Sequence, residues 1–68
     1  MSRHFLLVRE VDETGVSGTG TVAEGFLFST GRVVIEWLVA PFAIGIFSSI
    51  HELIQVHGHG GKTRVEFT

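Results

Sequence analysis

The residues best suited to chemistry lie in two glycine-rich segments, Ser17-Gly18-Thr19-Gly20 and His57-Gly58-His59-Gly60-Gly61-Lys62, the second followed by Arg64. Backbone in a glycine-rich turn can aim several N–H groups at one point, a nest that receives phosphate or carboxylate, and hydroxyls with one or two cations complete such a site. The candidate lining is Ser17, Gly18, Thr19 and Gly20 from the first segment and His57, His59, Gly60, Gly61, Lys62 and Arg64 from the second. Trp37, the lone tryptophan, is a platform on which a planar ligand can stack. The plainer reading is that these glycines permit tight turns and that Trp37 fills the core.

Several sharper readings fail on spacing. The run Gly60-Gly61-Lys62-Thr63 looks like the end of a phosphate loop, but the pattern requires glycine where Val56 stands, and it runs from strand into helix, the reverse of the order expected here. Gly18 to Gly25 fails as a dinucleotide fingerprint because no helix can follow it in so short a β-rich chain. His57 and His59 form an H-x-H pair, yet a catalytic zinc site normally takes three protein ligands and no acid is placed to complete it. A histidine packed near a helix C-terminus, where positive charge is favoured, is the commoner arrangement. The acids Glu10, Asp12, Glu13, Glu24, Glu36 and Glu52 show no spacing that suggests paired acid and base work. There is no cysteine, which excludes disulfides and a thiol nucleophile. No metal and no cofactor is expected.

The elements that must position these segments follow from periodicity. Arg3 to Glu10 reads as a strand with Phe5, Leu7 and Arg9 on one face and His4, Leu6 and Val8 on the other. Val11 to Gly20, with three glycines, two threonines and two acids, is a long loop. Thr21 to Phe28 and Arg32 to Leu38 form a hairpin around Ser29-Thr30-Gly31, with Gly25 marking a bulge or a close backbone approach. Pro41 ends that run, and Phe42 to Phe47 is a fourth strand. Ser49 and Glu52 form a capping box for a helix of about two turns that buries Ile50, Leu53, Ile54 and His57 and exits through a left-handed Gly58. Thr63 to Phe67 closes the chain as a fifth strand. The fold class is α+β: a small curved antiparallel sheet, β-β-β-β-α-β, packed on one short helix and partly closed around it. If the first and last strands pair, both glycine segments lie at one end.

Composition narrows the partners. The 68 residues make one domain, with net charge −2 and five Lys and Arg scattered along it, so there is no basic stripe for DNA or RNA. A mean hydropathy of +0.39 with 18% charged residues is high for a small monomer and suggests a self-complementary apolar surface, hence a homo-oligomer. The apolar run Trp37 to Phe47 is too short to span a membrane, and the first ten residues are too weakly apolar for a signal peptide, so a cytoplasmic location is expected.

The succession Val16-Ser17-Gly18-Thr19-Gly20, Ala23-Glu24-Gly25, Trp37, Ser49-Ile50 and His57-Gly58-His59-Gly60-Gly61 resembles a family of short proteins of actinobacteria and their phages. The similarity spans nearly the whole chain. It departs across Val39 to Ile46, where a more polar connection is expected, and this marks an apolar contact of the chain's own. Small phage proteins of this size often act by sequestration, so the resemblance implies binding of a nucleotide signal or a host protein without turnover. The leading expectation is a non-enzymatic binding module that holds a small anionic ligand with its two glycine segments. The alternatives are a protein-binding adaptor using Trp37 to Phe47 and, less favoured, a histidine-dependent hydrolase.

Overall fold

A computed structural model of the chain describes residues 3–10 and 19–68, and of His59 the backbone alone. Strand β1 (Arg3–Arg9) is flanked on both sides, by β2 (Gly20–Leu27) and by the last strand, β5 (Thr63–Phe67). Outward from β2 come β3 (Val33–Trp37) and β4 (Ile44–Phe47), and helix α1 (Ile50–His57) links β4 to β5. The sheet order is β4-β3-β2-β1-β5, and every neighbouring pair is antiparallel. The β-β-β-β-α-β order and α+β class expected from the sequence are those found. Partial closure is not: β4 and β5 are the two edges of an open sheet. β5 pairs with β1 and β4 with β3, and no ladder joins these two outer strands.

The sheet has one covered face and one bare face. Phe5 and Leu7 of β1, Val33 and Ile35 of β3, and Val22 and Ala23 of β2 are buried, and α1 adds Leu53 to the same core. Val22 and Ala23 are buried in succession because the register slips between Leu7 and Val8, where Leu7 pairs with Ala23 but Val8 with Thr21. Gly25 is the close approach rather than the bulge. A Cβ there would lie 2.4 Å from Phe5 Cζ and 2.9 Å from Ile35 Cγ2, both side chains of the core.

Alternation places His4, Leu6 and Val8, Glu24 and Phe26, Val34 and Glu36, Ile44 and Ile46, and Arg64 and Glu66 on the bare face. A shallow hollow of about 370 Å³ lies there between His4, Glu24, Phe26, Val34, Glu36 and Ile44. Glu24 and Glu36 are direct cross-strand partners within it, and His4 Nε2 lies 3.4 Å from Glu24.

Helix α1 starts as expected, but the cap is shifted by one residue. Ser49 Oγ accepts from the Glu52 N–H at 3.0 Å, while the Glu52 carboxylate turns back to the N–H of Ser48 at 2.9 Å and its hydroxyl at 3.0 Å. Leu53 is fully buried and Ile50 packs against the core, whereas Ile54 remains 40% exposed, so the buried stripe is narrower than its spacing suggests. The exit also differs. Gly58 is right-handed, and the left-handed positions are Gly60 and Gly61 in the 3₁₀ turn that follows. Glycine at 58 serves space instead, since a Cβ would come 2.4 Å from the Ile54 carbonyl oxygen. Phe42 stands outside β4 in a turn after a cis Ala40–Pro41 peptide, with a left-handed φ of 61°.

Candidate functional site

One end of the covered face gathers the polar residues. Register sets Gly20 of β2 opposite Arg9 of β1, and Arg9 opposite Thr63 of β5. The end of the first glycine segment and the exit of the second therefore enter the sheet as the two neighbours of Arg9. The Glu10 N–H donates to the Lys62 carbonyl at 2.7 Å and extends this contact beyond the strands.

Arg9 follows Phe5 and Leu7 on the buried stripe, so its guanidinium points into the covered layer, and the residue is only 5% exposed. Nε donates to Thr63 Oγ1 at 3.3 Å, and the guanidinium lies 5.9 Å from the centroid of the Trp37 ring. Ala23 separates β1 from Trp37 in the ladder, and its small side chain leaves room for Arg9 to reach across β2. His57, in the last turn of α1, meets Trp37 edge to face at 5.0 Å and Phe47 at 5.6 Å. Among the described residues no carboxylate pairs with Arg9. Burying a guanidinium costs several kcal/mol unless opposite charge and hydrogen bonds compensate it. A cation–π contact returns about 0.5–2 kcal/mol, and the side chain carries five N–H donors. A buried planar cation, an aromatic ring, an imidazole and a hydroxyl thus stand together at this end of the covered face.

The expected lining divides. Trp37 and His57 come together with Arg9 and Thr63, and Gly20 lies beside them. Gly60, Gly61 and Lys62 lie at the same end in the exposed turn after α1. Thr19 is exposed at the entry to β2. Ser17, Gly18 and the His59 side chain lie outside the described residues. Arg64 stands on the bare face, where it pairs with Glu10 and with Glu66, the latter at 2.9 Å. Strand alternation is the reason, for Thr63 and Arg64 must point to opposite faces. The backbone nest is also partly closed, because Gly61 and Thr63 both donate to the Gly58 carbonyl, at 3.1 and 3.0 Å, and Gly58 donates to Ile54 at 2.7 Å. Those amides serve the turn.

Arg9 and Thr63 are the residues that the sequence reading left out of the site. The available signal was the position of Arg9, a cation on the same alternating face as Phe5 and Leu7. The hollow on the bare face is a poor rival for an anion, since two glutamates line it. No group of histidines and acids able to hold a metal occurs among the described residues.

The chain belongs to the Acb5 phage protein family, which it matches over residues 2–68. It is a small phage-associated protein, which agrees with the phage part of the resemblance. No curated protein and no solved structure gives a significant match. Among the described residues no helix is long and apolar enough to cross a membrane.

Proposed function

For this member of the Acb5 phage proteins we propose a non-enzymatic binding module that holds a small anionic, nucleotide-like ligand and acts by sequestering it. The observation that carries the reading is Arg9: a buried guanidinium against Trp37 with no carboxylate partner among the described residues. A phosphate would supply the missing charge and accept two N–H bonds from the fork. Trp37 and His57 would border the base, and Lys62 is exposed in the turn at the same end of the sheet. Among the described residues of the site none is arranged as a nucleophile with its base, and the reading is therefore of a ligand held rather than turned over. Sequestration of a nucleotide signal is a means by which a phage protein opposes a host defence, and this is the biological role proposed.

The test is a panel of mono-, di- and cyclic nucleotides titrated against the protein and against Arg9→Lys, read by calorimetry and by recovery of the ligand. Lysine keeps the charge but not the two-pronged geometry, so at least a tenfold loss of affinity is expected, with the ligand returned chemically unchanged. No binding by the unsubstituted chain to any of the panel, or equal binding by Arg9→Lys, would refute the site. Conversion of a ligand, lost in His57→Ala, would replace sequestration with hydrolysis.

A further inference from the structure

The two edges of the sheet are built differently. Edge strands expose unpaired backbone groups and are normally protected by charge, proline or a bulge. Strand β5 has such protection in the charges of Arg64 and Glu66, which pair with each other on the bare face, where Arg64 also meets Glu10. Strand β4 is protected only by being short, four residues, since no Asp, Glu, Lys or Arg occurs from Trp37 to His51. Its side chains are the most exposed large apolar groups described, Ile44 at 65% and Ile46 at 77%.

The direction of the free backbone groups follows from the ladder. The Trp37 N–H donates to the Ala43 carbonyl, which makes 37 and 43 a hydrogen-bonded pair. Alternation then makes Ile35–Gly45 and Val33–Phe47 hydrogen-bonded pairs as well, so the N–H and C=O groups of Ile44 and Ile46 point away from β3, to the open edge. An antiparallel strand centred on Gly45 satisfies all four of these groups, and a twofold axis between two copies of β4 produces that arrangement.

We propose that β4 pairs with β4 of a second copy across a twofold axis at Gly45, joining two sheets into one continuous sheet. Ile44 of each copy then lies opposite Ile46 of the other, and four backbone hydrogen bonds form across the axis. The two Gly45 residues meet at the close, non-hydrogen-bonded position, where Cα atoms are about 4.5 Å apart and the absence of side chains avoids a clash. Charge decides against the other self-association, stacking of the two bare faces. That would bury Glu24, Glu36 and Glu66 of both copies, whereas the β4 edge brings no charge near another in a chain of net charge −2. The interface is independent of the ligand reading, for Arg9 lies two strands inward from β3 on the covered face.

Sedimentation equilibrium and native mass measurement from low to high micromolar concentration should show a dimer. Ile44→Glu and Ile46→Lys, each alone, should give a folded monomer, because like charges then flank the axis beside an apolar partner. The double variant should dimerise again, since each introduced carboxylate faces an introduced ammonium, a rescue that only the pairing of 44 with 46 produces. Should either substitution unfold the chain by circular dichroism, chemical synthesis with an N-methyl group on the Ile46 amide keeps the side chain, blocks one edge donor and should still yield the monomer. An unsubstituted chain that is monomeric throughout would overturn the proposal and leave the edge to a strand of another protein. So would a dimer that survives the single substitutions or the N-methyl group, or a double variant that stays apart.

Discussion

Arg9 stands where a hydrophobic residue would satisfy the packing, and its effects on folding and on binding should therefore separate. Among the described residues Arg9 has no carboxylate partner, and a buried ionic group can often be replaced by a well-packed apolar residue at no loss of stability. Arg9→Met should leave the denaturant midpoint within about 1 kcal/mol of the parent or raise it, and should abolish any nucleotide-induced stabilisation. If Arg9 instead answers a carboxylate of the chain itself, the same substitution would destabilise by about 3–5 kcal/mol. Gly25 gives the opposite case, a residue whose role is space alone. Gly25→Ala drives a methyl group against Phe5 and Ile35 and should cost about 1–3 kcal/mol in urea unfolding, with no direct effect on the site.

At the scale of the element, α1 is eight residues long and cannot persist by itself, so it depends on its packing, with Leu53 its fully buried residue, and on its cap. Leu53→Ala should cost about 2–5 kcal/mol, a large part of the total stability of so small a chain. Ser49→Ala should cost about 1 kcal/mol, measurable as a shift of the urea midpoint. Glu52 adds a pH dependence. The Ser48 N–H and then the Ser48 hydroxyl hold its carboxylate below the usual glutamate pKa. The folded value being the lower one, this contribution is complete above the unfolded pKa and is lost as pH falls through the folded one. Glu52→Gln should flatten the acid side of the stability profile and leave the neutral side with a constant offset. A profile that keeps its acid slope would assign that slope to other carboxylates.

For the whole molecule, a two-layer arrangement of one helix on an open sheet leaves half of the sheet uncovered, and a domain of this size buries only about 60% of its unfolded surface. Binding must therefore show strongly in the melting curve. A ligand at a hundred times its Kd should add about 2.7 kcal/mol, which for a domain of 60–100 residues raises Tm by roughly 10–20 °C. A calorimetric Kd without the corresponding rise would mean that the unfolded chain binds nearly as well and that no folded site is being filled.

The sequence alone determined the order of the strands and the helix, and the faces of β1. Alternation of Phe5, Leu7 and Arg9, the hairpin turn at Ser29 to Gly31 and the Ser49 cap act over a few residues, and local sterics and hydrogen bonding suffice to specify them. Only the tertiary structure decided which of the candidate residues stand together. The slip between Leu7 and Val8, the small Ala23 beneath a long arginine and the return of β5 to the side of β1 depend on contacts between residues far apart in the chain. The same long-range pairing sent Arg64 to the bare face, drew Arg9 to Trp37 and used the Gly61 and Thr63 amides within the turn. A face can be read from a period of two, but a site is set by register, and register is fixed only when the strands pack.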